Sequence, residues 1–453
     1  MSADSSKITA HPVTLKQKFM LDQAIHPDCQ DDLRDLWTLS SAVLVRPGVD
    51  LRRLRRAVHK LMERHDILRL RFEQAKGTWR ALIDPPGRDP IRLIDLGDRD
   101  DETFLSEIKT IANAPMPLVG QPLIDFVIVK CGSRGDVGIA RFHHAITDGY
   151  GMVVLAEDLI KLLMGMPITG KAVSFVEYLA RHQLPLPRRA AKVDAFWDKL
   201  REELPKAPNI GRKAKGLEPL WHSFGETEQR QIDFRVTPQS IIRFENRAAE
   251  LGISENALLF AGYLDALCQC YDWDKLLFKT HVSRTDPVLD TYAGDHTLDP
   301  ILPYRRGGEK EFVAAAQALS ATLNQAMEHL PAGAAIRRTP YENELIEAGY
   351  YTEQFSLYEP RATVRQQRSI FSEIFYVEYG QEQQLGPFKL TPLDIAKPQR
   401  SLYEMQLHLG TSKTRKGFSI LYDGIGYDFR EVRRIGDKIC ALLEFDLTEA
   451  IAS

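Results

Sequence analysis

Little in this 453-residue chain points outward to a membrane, an oxidising compartment or a polyanion. There are only five cysteines, at positions 29, 131, 268, 270 and 440. An odd, scattered set fits reduced thiols in a cytoplasm better than a disulfide framework. Cys268 and Cys270 have no matching second pair, so no zinc site is expected. The most apolar stretch, ENALLFAGYLDALCQCY, is broken by Asp265 and is too short to span a bilayer. The opening residues, MSADSSKITAHPV, hold no basic segment leading into an apolar core, so no secretory leader is expected. A net charge of −3 gives no reason to expect nucleic acid as a partner. Also missing are a phosphate-binding Walker loop, a dinucleotide fingerprint, the H-E-x-x-H of a zinc protease and the G-x-S-x-G elbow of a serine hydrolase. No tandem repeat and no low-complexity tract is visible.

What is present is the composition of a globular chain, 44% hydrophobic and 27% charged. The length is more than one core usually serves, which predicts two domains or lobes. The element order is mixed α and β. In LRRLRRAVHKLMERH the residues Leu51, Leu54, Val58 and Leu61 share one helical face, and Arg52, Arg53, Arg55, Arg56 and Lys60 form a basic, solvated remainder. Alternation from Ile67 to Phe72 predicts a strand, and LIDFVIVK and VGIARFHH predict two more. In GMVVLAEDLIKLL, apolar residues at 152, 155, 159 and 162 have helical spacing. RHQLPLPRRAAK, 181–192, has the composition of a linker. Beyond it, VTPQSIIRFENRAAELG and ISENALLFAGYLDALCQCY predict helices, and RSIFSEIFYVEYG and GFSILYDGIGYD predict strands. The expected domains are therefore 1–180, a linker at 181–192, and 193–453.

RFHHAITDGYG, residues 141–151, is the stretch that suggests chemistry. If VGIARFHH is a strand, its side chains alternate, so His143 and His144 point to opposite faces. Asp148 then stands at the start of a helix, beside Gly149, which permits a tight turn. Asp148 or Thr147 suits a helix cap. With metal, serine and phosphate-loop chemistries set aside, a histidine base acting directly on a bound nucleophile remains.

HHAITDG matches the H-H-x-x-x-D-G motif of nonribosomal peptide synthetase condensation domains, and the chain resembles that family, part of the chloramphenicol-acetyltransferase-like acyltransferase superfamily. Other segments follow in the family's order. VTLKQKFML is similar to its opening motif, RHDILRLRF to R-H-E-x-L-R-T-x-F, and SFVEYLARH and AFWDKL to the segments after the first lobe. HVSRTDPVLDTYAGDHTLDPILPYRR resembles the region around its G-x-F-x-N-T-L-P-L-R pattern, and TPYENELIEAG resembles P-F-E-x-L-V. The match departs at Tyr150, where Trp is commoner, at Gly151, where Ser is common, and at Asp295, His296 and Thr297 in the floor-loop pattern. The histidines that the degenerate relatives lose are both present.

The resemblance implies an α/β (α+β) fold of two chloramphenicol-acetyltransferase-like lobes in a V around a central tunnel, with floor loop and latch in the C-terminal lobe. It implies a free-standing condensation enzyme, acting as a monomer in natural-product (antibiotic) biosynthesis. An acyl, polyketide or peptidyl chain would pass from a carrier protein's phosphopantetheine thioester to an amine or alcohol, forming an amide or ester as a chain-release step. The chain would bind no cofactor, metal, membrane or nucleic acid of its own. In these terms His144 is the catalytic base. Asp148 pairs with Arg284, His143 shapes the turn, and Gly149 leaves room for the phosphopantetheine arm. Tyr150, Asp295 and His296 would line the substrate tunnel, and the segment from Thr291 to Pro303 would influence acceptor choice. Two readings stay beside this one, an acyltransferase using a coenzyme A thioester and a non-catalytic carrier-binding module.

Overall fold

The computed structural model describes residues 8–25, 37–87, 89–182, 187–202, 228–283, 287–298, 300–329, 355–358, 379–395, 405–411 and 416–448. The chain divides into two compact units: Met1–Leu184, Asp286–His296 and Arg361–Lys397 in one, and Pro185–Thr285, Thr297–Pro360 and Pro398–Ser453 in the other.

The first unit opens with strand β1 (Thr9–Pro12) and helix α1 (Leu15–Ala24). Thr14 and Gln17 cap α1 reciprocally. Gln17 N donates to Thr14 Oγ1 at 3.1 Å, and Thr14 N donates to Gln17 Oε1 at 2.9 Å, the capping-box exchange that satisfies two otherwise orphaned amides. Then come β2 (Thr38–Arg46) and α2 (Leu51–Arg64). Asp50 caps α2 by accepting from the amides of Arg52 and Arg53. Leu54, Ala57, Val58, Leu61 and Met62 form its buried face while Arg52, Arg53, Arg55 and Arg56 stay exposed. At about 1.5 to 3 kcal/mol per buried large aliphatic side chain, that face holds the helix to the unit's core. After β3 (Leu70–Ala75), β4 (Thr78–Ile83), β5 (Ile91–Asp95) and α3 (Asp101–Ala112), the strands β6 (Ile124–Lys130) and β7 (Asp136–His143) form the centre of a sheet. β7 leads through a five-residue connection into α4 (Gly149–Met164), and α5 (Phe175–His182) follows.

The second unit begins with α6 (Pro187–Glu202), β8 (Gln229–Arg235), α7 (Pro238–Leu251) and α8 (Glu255–Tyr271), then β9 (Lys275–Thr280) and β10 (Val282–Ser283). α8 is buried almost all round from Ala257 to Cys268. The chain then returns to the first unit for residues 287–296, which begin with a 3₁₀ turn at Pro287–Thr291. It resumes the second unit with β11 (Thr297–Leu298), β12 (Ile301–Arg305), α9 (Gly308–Glu328) and β13 (Phe355–Tyr358). The hairpin β14 (Gln383–Leu385) and β15 (Phe388–Pro392) belongs to the first unit again. The second unit closes with β16 (Met405–Thr411), β17 (Lys416–Asp423) and α10 (Phe429–Leu443).

Each unit is built on a six-stranded sheet, ordered β14-β15-β2-β7-β6-β5 in the first and β12-β9-β13-β16-β17-β8 in the second. In the first, only the β5–β6 pair is parallel. β7 is a central strand, and its side chains are buried or nearly so from Asp136 to His143. The end of this rigid strand carries the motif.

Several expectations need correction. The linker expected at 181–192 is helical from Pro187 onward, because proline is tolerated at a first helical position and the arginine, alanine and lysine residues after it are good helix formers. The domain division also differs: the described residues 287–296 and 379–395 belong with the first unit instead of a continuous 193–453 lobe. The strand expected from Ile67 starts only at Leu70, because Asp66–Arg69 forms a 3₁₀ turn with Ile67 and Leu68 both buried. Asp66 accepts there from the amide of Phe175. The strand expected over 417–428 stops at Asp423, where the chain turns into α10. In α4 the expected face at 152, 155, 159 and 162 is only partly buried, apart from Leu155. Val153, Val154, Glu157 and Asp158 are buried as well. Asp158 is sustained by Arg64 Nε at 2.8 Å and His65 Nε2 at 2.9 Å. The segment 368–378, expected as a strand, lies outside the described residues. So does TPYENELIEAG, 339–349.

Candidate active site

β7 ends at His143, and the sheet fixes both flanks of that end. The His143 amide donates to Leu123 O at 3.0 Å, and the His144 amide donates to Trp37 O at 2.6 Å. A turn follows, closed by the Ile146 amide on His143 O at 3.0 Å. Gln17, already capping α1, donates from Nε2 to Ala145 O at 2.9 Å, and so docks α1 against this turn. The fixed turn gives two adjacent imidazoles different surroundings.

His143 is buried, with 2% of its surface exposed. Its Nδ1 accepts from the Ala145 amide at 3.0 Å, so that nitrogen carries a lone pair. Burial, reinforced by the neighbouring His144, pushes its pKa down to about 3 from an ordinary 6.5. His143 is a neutral, structural ring that shapes the turn.

His144 lies outside that core, its side chain 22% exposed. Its ring meets the edge of Trp37 at a centroid distance of 5.9 Å. Nδ1 lies 3.1 Å from Asp295 Oδ2. That carboxylate is also held by Lys16 Nζ, at 2.7 Å from Oδ2 and 2.9 Å from Oδ1. A carboxylate gripped by an ammonium is an acceptor, so this contact suits a ring that donates from Nδ1. Among the described residues nothing is hydrogen-bonded to Nε2.

Asp148 is buried and works on backbone amides. Oδ1 accepts from the Gly151 amide at 2.7 Å, capping α4, and Oδ2 accepts from the His296 amide at 2.9 Å. One side chain thus joins the start of α4 to the 287–296 segment. Arg284, its expected partner, lies outside the described residues. Thr147 Oγ1 adds a second link by donating to Ala293 O at 2.8 Å. These contacts explain a glycine that sequence reasoning registered only as a departure. A Cβ on Gly151 would stand 2.2 Å from Ala293 O and 2.5 Å from Thr147 Oγ1. Gly149 is the first residue of α4.

The remaining expected residues divide. Asp295 stands beside His144 and contacts its ring directly. His296 is buried, with Nδ1 3.1 Å from the hydroxyl of Tyr178, which also stacks on Tyr292 at 4.5 Å. Its ring is thus part of the packing beneath the loop. Tyr150 reaches Asp290 Oδ1 through its hydroxyl at 3.3 Å. Of the expected floor loop 291–303, residues up to His296 belong to the first unit and Thr297 onward to the second. Sequence reasoning missed Lys16 and Trp37 and assigned no task to Gln17. Only Gln17 had a local signal, the Thr-x-x-Gln pattern of a capping box.

The condensation-domain family profile matches residues 30–445, and the chain belongs to that family. Condensation domains in general are acyl or peptidyl transferases that work with carrier-protein domains. The polyketide synthase component of the lovastatin nonaketide synthase from Aspergillus terreus is 22% identical over 423 residues, covering 89% of this chain and 13% of that protein. The chain therefore spans about an eighth of that relative's length. Among solved structures, the epimerization domain from the third module of tyrocidine synthetase B aligns with a TM-score of 0.70 at 13% identity, over 96% of each chain. SgcC5 from Streptomyces globisporus, in a complex with (R)-1-(2-naphthyl)-1,2-ethanediol and sucrose, aligns with a TM-score of 0.64 at 17% identity, over 96% of this chain and 98% of its own. The fold is the chloramphenicol-acetyltransferase-like two-lobe fold of condensation domains. Among the described residues no helix is long and apolar enough to cross a membrane.

Proposed function

We propose that this chain is an acyltransferase that moves an acyl, polyketide or peptidyl group from the phosphopantetheine thioester of a carrier protein to an amine or alcohol. His144 Nε2 is the general base. The observation that carries this reading is the state of that ring: Nδ1 is committed to Asp295, and Nε2 has no partner among the described residues. The nucleophile's nitrogen or oxygen attacks the thioester carbon and gives its proton to Nε2. The tetrahedral intermediate then expels the carrier thiolate, which takes up a proton, leaving an amide or ester and a free phosphopantetheine thiol. A thiolate is a good leaving group, since a thiol's reference pKa is about 8.5, so help is needed mainly at the attacking atom. Holding both reactants within attack distance supplies a further share of the rate. Asp148 is not the base, because each of its oxygens accepts from a backbone amide.

The free carrier protein, the phosphopantetheine arm and a small acceptor are the partners in this reading. SgcC5, a protein of similar fold solved with a diol, makes hydroxyl acceptors worth testing. The test offers acyl-loaded carrier proteins with a panel of amines and alcohols, read by intact-protein mass spectrometry. The expected result is loss of the acyl group from the carrier, with one amide or ester product. Transfer from coenzyme A thioesters with no requirement for carrier would identify the other acyl-donor class. Binding of acyl carrier without any turnover would contradict the reading.

A further inference from the structure

Lys16 and Asp295 are 279 residues apart, yet they meet beside His144 with little exposure, 9% and 8% for their side chains. Neither follows from the motif. Each is charged, and a lone charge at that depth is costly unless it is paired. Three elements deliver the cluster. α1 brings Lys16, and it is anchored by the neighbouring Gln17 on Ala145 O. The 292–296 segment brings Asp295, and it is anchored by Asp148 on the His296 amide and Thr147 on Ala293 O. The end of β7 brings His144. Among the described residues, the ring faces Asp295, with Lys16 beyond it and the neutral His143 beside it on the strand, and Trp37 packs on it without charge.

We propose, resting on the reading of His144 as base, that Asp295 and Lys16 are a charge-balanced positioning pair for it. Asp295 accepts from Nδ1–H, which selects the tautomer with its lone pair on Nε2 and holds the ring at one angle. A bare carboxylate in that place would also favour the imidazolium, and an imidazolium cannot accept the nucleophile's proton. Lys16, on the same oxygen at 2.7 Å, offsets that charge. The pair therefore orients the base without holding it protonated. Neither residue touches the reacting atoms, and the acceptor-selecting role expected for Asp295 is replaced by this one.

The two halves have separable readouts. Histidine-selective ¹⁵N spectra of the full chain, with the His144 signal identified by its loss in His144→Ala, report the tautomer without any substrate. The wild-type ring should show protonated Nδ1 and unprotonated Nε2. Asp295→Ala should remove that preference, and Asp295→Asn, whose amide oxygen still accepts, should restore it. An Nε2–H tautomer in the wild type, or an unchanged one in Asp295→Ala, would overturn the proposal even if the reaction assigned above were wrong. In acyl transfer, Asp295→Ala should lower kcat about ten- to a hundredfold, a fraction of a full general-base effect, with acceptor KM within about twofold. Lys16→Met should move the rising limb of the rate–pH profile to higher pH, and Asp295→Asn should move it to lower pH. Shifts in the same direction, no shift, or a change confined to acceptor KM would contradict the charge balance. The near-isosteric Asp295→Asn keeps the test valid if the alanine variant folds poorly.

Discussion

Two neighbouring histidines with the same side chain do different work because of one residue's difference in position. His143, still within the strand, is sealed in the core and kept neutral; His144, one residue on, keeps part of its ring in the open. The buried ring has a thermodynamic signature. Its folded-state pKa is depressed to about 3, below the ordinary 6.5, so the unfolded chain binds the proton first as the pH falls. Stability is therefore intact above about 6.5 and is lost progressively from there toward 3. Between pH 7 and pH 5 the proton alone should cost about 2 kcal/mol. Urea unfolding at the two pH values should show His143→Asn losing less stability than the wild type by that amount, and equal losses would mean the ring is not buried neutral. Asp148 makes a second residue-scale prediction. Asp148→Ala removes a helix cap, worth about 0.5 to 2 kcal/mol, and leaves the His296 amide without its acceptor at about 1 to 3 kcal/mol. A lower melting temperature should accompany lost activity. Inactivity at unchanged stability would instead indicate a carboxylate that acts on substrate. Both roles were half legible in the sequence. Strand alternation and the capping preference were readable locally, whereas the His296 amide, 148 residues from Asp148, leaves no local pattern.

Strand, turn and helix form the unit that presents His144, and the chain builds it twice. β7 ends at His143 and α4 is capped by Asp148; β17 ends at Asp423 and α10 is capped by Asp428, five residues on in both cases. Each cap accepts from the amide three residues into its helix, Gly151 and Glu431. Sequence comparison showed no repeat here because only the capping aspartate is shared. In the second copy Asp423 stands where His143 does and Gly424 where His144 does, so the scaffold is kept without either histidine. Asp423 is itself buried, with its oxygens accepting from the amides of Glu228, Ile425 and Gly426. The first copy has its own steric requirement. Gly151→Ala would force a methyl against Ala293 O, a backbone atom that cannot swing away, and overpacking of this kind typically costs about 1 to 3 kcal/mol. The variant should melt earlier and transfer acyl groups more slowly. A melting temperature equal to that of the wild type would show that the 292–296 segment does not pack on α4 this closely.

At the scale of the whole molecule, two sheets of six strands account for both units, and the α/β class was legible from helix and strand periodicity alone. The way the chain shares itself between them was not. Residues 287–296 return to the first unit from the far side of the sequence, and they bring Asp295 to His144 and His296 to Asp148. Composition could suggest a boundary near residue 184, since prolines and arginines gather there, but a segment that crosses back has no compositional mark. Lys16 was unreadable for the same reason: its meaning depends on a carboxylate 279 residues away. His144 as the reacting group is the proposal on which the rest depends. Single-turnover transfer from an acyl-loaded carrier protein, wild type against His144→Ala, tests that most directly. The account predicts a fall of about two to four orders of magnitude, with the fold and carrier binding retained. A well-folded His144→Ala protein that turns over at near the wild-type rate would contradict it.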